Sequence, residues 1–247
     1  MSPSRSWRQA VEALHADLLK VVDVRLRALV VYEAHGLLGD APPPDGDIRH
    51  DDHVHTLAVI EGLGYWDLAR LAPLADTWAR RGLAVPLFFA PGELRRSLDA
   101  FPLEFGQMVA RHVVIAGADP FEGLDVADRD LRRACEAQAR SHLLHLREGF
   151  IQSAGNPKAL AALVAASAIP LRALLVNLAR LHGVQADSAD ALAAFVAGRL
   201  RLRLDGLRPL LSAKRPADLS EADAGAFFPA YLAAVEQLVT LIDEWSS

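Results

Sequence analysis

Residues 26–32 read Leu-Arg-Ala-Leu-Val-Val-Tyr, and residues 56–61 read Thr-Leu-Ala-Val-Ile-Glu. Each run is short, apolar and rich in β-branched residues, the pattern of a buried strand rather than a helix. Between them stand Pro42-Pro43-Pro44 and Asp45-Gly46-Asp47, which block regular structure and mark a polar loop. Two apolar strands joined by such a loop fix the first half of the chain as a sheet.

Outward from this pair, helical and strand signals alternate. Upstream, Val11, Leu14, Leu18 and Val21 form a helical stripe over Ala10 to Val22. Downstream, Leu68, Leu71, Leu74 and Trp78 mark a helix over Tyr65 to Arg81, stopped by Gly82. Val85 to Phe89 is a third strand, and Pro86 assigns it to a sheet edge. Gly92 to Ala100 is a short helix, and Val113 to Gly117 a fourth strand.

From Asp128 the texture changes. Asp128 to Gln152 is a long charged helix, closed by the Gly155-Asn156-Pro157 break. Lys158 to His182 is an apolar helix ended by Gly183. Ser188 caps a helix running to about Leu211, and Ser220 opens a last one to Trp245. Arg199 to Leu204 alternates Arg and Leu like a strand, but its Ala-rich flanks assign it to the helix. The expected fold class is α+β: a small mixed sheet with flanking helices in residues 1–127, then an all-α helical bundle in residues 128–247.

Composition narrows the function classes. The 247 residues are 52% hydrophobic, enough to bury a sizeable core. Mean hydropathy is +0.17, yet the longest apolar stretch, Ala159 to Leu171, is too short to cross a bilayer and is expected to be a core helix. The N-terminal residues lack the apolar core of a signal peptide, and the single cysteine, Cys135, is expected to be a small core residue. These features favour the cytoplasm and no membrane. A net charge of −5 disfavours nucleic acid as a partner. Apolar helices such as Lys158 to His182 permit a homodimer. No Gly-x-x-x-x-Gly-Lys, Gly-x-Gly-x-x-Gly or Gly-x-Ser-x-Gly is present, which leaves a P-loop enzyme, a dinucleotide enzyme and an α/β-hydrolase without support.

The chemistry-bearing residues gather around the strand pair. After Leu29-Val30-Val31-Tyr32 come Glu33-Ala34, and the second strand is entered through His50-Asp51-Asp52-His53-Val54-His55. Strand, loop and strand in this arrangement resemble the nucleotidyltransferase superfamily with its polymerase-beta-like fold. In that family a Gly-Ser pair after the first strand holds nucleotide phosphates. An Asp-x-Asp pair at the second strand places two Mg²⁺ ions. Ser97-Leu98-Asp99-Ala100-Phe101-Pro102-Leu103-Glu104-Phe105 resembles the Phe-Pro-x-Glu stretch of an uncharacterised bacterial group of nucleotidyltransferase-like proteins. The segment Asp130 to Glu148 is similar to the long helix that follows it there. The likeness spans roughly residues 25 to 182.

Both departures from the family pattern fall on the chemical positions. Glu33 and Ala34 replace the Gly-Ser pair, and Glu33 would repel a triphosphate. His53 and His55 replace the Asp-x-Asp pair, and neutral imidazoles do not attract Mg²⁺, a hard ion that takes oxygen ligands. The resemblance therefore implies a pseudoenzyme that binds a ligand or a partner. An active enzyme, moving a nucleoside monophosphate from a triphosphate to a small hydroxyl substrate or a protein, would rely on Asp51 or Asp52 and on Glu104 as its carboxylates. A third reading is a transition-metal module built on His50, His53 and His55 with Asp51, since imidazoles two apart on a strand share a face. Against these stand plainer roles. The histidine cluster suits a solvated loop, Glu104 suits a surface position, and Glu136 with Arg140 suits a surface i, i+4 pair. The basic run from Arg199 through Lys214 and Arg215 suits a solvated helix face.

Overall fold

Strand β1, Leu26–Tyr32, lies at the centre of a four-stranded sheet because its side chains are apolar on both faces. The computed structural model describes residues 7–32, 53–186, 188–212 and 221–245. The strand order is β3-β2-β1-β4, with β2 at His55–Ile60, β3 at Leu87–Phe89 and β4 at His112–Gly117. β1 runs antiparallel to β2 and to β4, whereas β2 and β3 are parallel, so the sheet is mixed. The fold class is α+β. Chain contacts divide the molecule into two units, the first ending at Val126 and the second beginning at Ala127.

In the first unit, helix α1 (Trp7–Val22) closes one face of the sheet. Trp7, Val11, Leu14 and Leu18 follow a helical spacing and pack with Leu29, Val31, Ala58 and Ile60, which alternate along the two central strands. Trp78 and Leu83 complete this core. The helix expected over Tyr65 to Arg81 is broken in two. α2 (Tyr65–Leu71) and α3 (Ala75–Arg80) are separated by a 3-10 turn at Ala72–Leu74, because Pro73 has no N–H to continue the ladder. β3 is an edge strand and begins directly after Pro86, shorter than the run Val85 to Phe89. α4 covers Glu93–Ser97 and α5 covers Pro102–Ala110, with Phe105 and Met108 buried.

Among its described residues the second unit contains helices and no strand. α6 (Asp128–Ser153) buries Leu131, Cys135, Ala139, His142 and Leu146 along one stripe, against α7 (Pro157–Leu181) and α10 (Glu221–Glu244). Asn156 caps α7 by accepting from the Lys158 and Ala159 amides at 3.0 and 3.1 Å. Ser188 caps α8 (Ala189–Gly198) by accepting from the Ala191 amide at 3.1 Å.

The single helix expected from Ser188 to Leu211 is not formed. α8 ends at Gly198, and a short α9 resumes at Arg208–Ser212. Arg201 between them has φ of 54°, which interrupts a right-handed helix. Leu200 and Leu202 are buried while Arg199, Arg201 and Arg203 are exposed. The Arg/Leu alternation thus records a non-helical segment with one buried side.

Two helices, α7 and the Asp223–Glu244 stretch of α10, have the length and apolar composition of a membrane span. α7 packs on α6, α8, α9 and α10 and buries Ser167, Arg172 and Asn177, an environment compatible with the core helix of a soluble protein. Arg172 donates from Nη1 to the Leu210 carbonyl at 3.3 Å, and burial lowers its pKa.

Candidate functional site

β1 stops and β2 starts at the same end of the sheet. Tyr32, last in β1, is the register partner of His55, first in β2. On the other side Tyr32 pairs with His112, first in β4. Register partners on neighbouring strands share a face, so His55, Tyr32 and His112 form one row across three strands. The Tyr32 and His55 ring centroids are 5.9 Å apart. Val54 packs into the core beneath α1, and strand alternation puts His53 and His55 on the opposite side. His53 is exposed and His55 half-buried.

The row is unequal in chemistry. Tyr32 is buried, and desolvation pushes its hydroxyl up to about 12, so it is a neutral phenol at physiological pH. His112 has Nδ1 3.0 Å from the Met108 carbonyl and Nε2 3.1 Å from Asp119 Oδ1. Both ring nitrogens of His112 thus face oxygen atoms of its own neighbourhood. Asp119 also accepts from the Phe121 amide at 2.8 Å, and the Phe121 ring lies 4.7 Å from His112. His112 with Asp119 is therefore a clasp that fixes the start of β4 to the turn after it.

Other candidate positions do not join the row. Glu104 is exposed in the first turn of α5. Glu33, Ala34, His50, Asp51 and Asp52 lie outside the described residues. Among the described residues no three His, Cys, Asp or Glu side chains gather to hold a metal ion. His53 and His55 stand at the start of β2, and imidazoles do not fit Mg²⁺; the described carboxylate nearest the row, Asp119, is engaged by His112 and the Phe121 amide.

In the second unit Cys135 is fully buried and its thiol is pushed up to about 12, which makes it inert. Glu136 and Arg140 form a surface pair at 3.2 Å, and Arg140 also reaches Asp243 at 2.7 Å. Arg147 meets Glu236 at 2.7 Å. The charged residues of α6 thus pin α10. Of the basic run, Arg203 pairs with Asp205 at 2.7 Å, while Lys214 and Arg215 lie outside the described residues.

Sequence reasoning did not single out His112 and Asp119. Their pairing depends on β4 register and on a turn, and neither leaves a spacing signature. Comparison with protein-family models and with curated proteins finds no match for this chain.

Proposed function

We propose that the chain is a nucleotidyltransferase-like pseudoenzyme that has lost Mg²⁺-dependent transfer and acts by binding a ligand or a partner. The observation that supports this reading is the Tyr32–His55 register pair. It puts the end of the first strand beside the start of the second, the two places where the family would hold phosphates and metal. Among the described residues the Tyr32–His55 pair itself is a neutral phenol and an imidazole, which supply no negative charge for Mg²⁺. The protein works in the cytoplasm under this reading, consistent with a single buried thiol.

Calorimetric titration with each nucleoside triphosphate, with and without Mg²⁺, tests the proposal. The expected result is that Mg²⁺ adds nothing to nucleotide affinity. Micromolar binding that appears only with Mg²⁺, and disappears in Asp52→Ala, would restore the active-enzyme reading.

A further inference from the structure

A groove of about 350 Å³ opens in the helical unit, lined by Asp128, Arg129, Arg132, Leu181, His182 and Trp245. Three helix ends form it: the first turn of α6, the last residues of α7 and the segment that follows α10. The volume suits a ligand of one or two fused rings.

Trp245 is held once at its backbone and once at its ring. Arg132 Nη1 donates to the Trp245 carbonyl. The His182 ring meets the indole edge-on, with centroids 4.3 Å apart and planes at 72°. His182 is backed in turn by Phe195 at 5.6 Å. Its Nε2 is buried with no hydrogen-bond partner among the described residues. Burial, then the charge of Arg199, lowers its pKa, so His182 forms an uncharged wall. A fixed indole beside Leu181 offers a flat apolar surface at low entropic cost.

Charge at the groove comes from the arginines. Arg129 is 84% exposed, with a loose 3.4 Å contact to Asp130. Arg132 donates to the Trp245 carbonyl and retains further N–H donors. Two guanidiniums and the Asp128 carboxylate line the groove, and Asp130 lies behind Arg129 without lining it. A guanidinium fork matches a carboxylate or a phosphate, whereas Asp128 repels an extended polyanion. We propose that this groove binds a small aromatic anion, an aryl carboxylate or an aryl phosphate, with its ring on Trp245 and its anionic group at Arg129 and Arg132. This inference stands apart from the sheet-end reading above and shares no residue with it.

The test is calorimetric titration of the full chain with 2-naphthoate, 2-naphthyl phosphate and the neutral 2-naphthylmethanol. Binding by one or both anions is expected, with the neutral compound at least about tenfold weaker. Which anion binds tighter identifies the anionic group. In two-dimensional NMR the indole N–H signal that moves should be the one missing from Trp245→Phe. Arg129→Glu, at an exposed position, should keep the wild-type melting temperature and weaken both anions by about tenfold. Equal binding of the neutral compound, unchanged affinity in Arg129→Glu, or no saturable binding of either anion at millimolar concentration would overturn the proposal.

Discussion

His142 Nε2 on α6 lies 2.6 Å from the hydroxyl oxygen of Tyr231 on α10. The Tyr231 hydroxyl donates to Ser167 Oγ at 2.9 Å, and Ser167 donates to the Val164 carbonyl at 2.7 Å. Each hydroxyl hydrogen is committed forward, so Tyr231 accepts from His142 and Nε2 carries the hydrogen. This closed chain joins α6, α7 and α10 through buried side chains and leaves Ser167 no role as a nucleophile. Tyr231→Phe would leave the His142 N–H unsatisfied, at a cost of about 1–3 kcal/mol. Urea denaturation measures it, and an unchanged midpoint would show that the chain carries no stability.

The same histidine gives a pH dependence of definite sign. Burial, with help from His145, lowers the His142 pKa from 6.5 to about 4. As pH falls, the unfolded chain takes the proton first, so this stabilisation is complete above 6.5 and drains away toward 4. The loss is on the order of 3 kcal/mol across that window. Denaturation midpoints at about pH 7.5 and about pH 4.5 should fall further for wild type than for His142→Asn. Equal losses in the two proteins would contradict the assignment.

Two glycines are fixed by neighbouring backbone. Gly117, at the end of β4, has φ of 77°, and a Cβ there would sit 1.9 Å from the Arg27 carbonyl oxygen. A Cβ on Gly206 would lie 2.2 Å from the Tyr231 amide nitrogen. Replacing either by Ala should destabilise its unit by about 2 kcal/mol or more. Gly198→Ala, whose Cβ meets nothing within 4 Å, serves as the neutral control. Thermal melts that do not distinguish the three variants would refute the packing argument.

The histidines at the sheet end bear on metal binding. His112 spends both ring nitrogens on Met108 and Asp119, and no three-ligand group stands among the described residues. If the solvated-loop role of these histidines holds, Zn²⁺ or Ni²⁺ in stoichiometric excess leaves the melting temperature unchanged. A rise that His53→Ala with His55→Ala abolishes would establish the metal module, because an ion bound only to the native state stabilises it by mass action.

The strands were legible because their residues advertise them. Leu26 to Tyr32 forms β1 with those bounds, and the second run is displaced by one residue, to His55–Ile60. Helix continuity was harder to read. Pro73 and the left-handed Arg201 each break a stretch whose apolar spacing favoured one helix. α5 was hidden because Phe101-Pro102-Leu103-Glu104 was read as a motif, although Pro102 in its first turn is a helix-start signal. The Tyr32 row, the His112–Asp119 clasp and the Trp245 groove needed strand register and helix packing. Those are set by contacts between residues as far apart as Arg132 and Trp245, which no local pattern records.

Turnover tests the proposed loss of transfer chemistry. The protein is incubated with each labelled nucleoside triphosphate and Mg²⁺ or Mn²⁺, and pyrophosphate release and label transfer to protein or small hydroxyl acceptors are followed. A two-metal site must neutralise both the attacking and the leaving oxygens, which imidazoles at His53 and His55 do not arrange. No pyrophosphate above the enzyme-free rate is expected. Sustained release that vanishes in Asp52→Ala would contradict it.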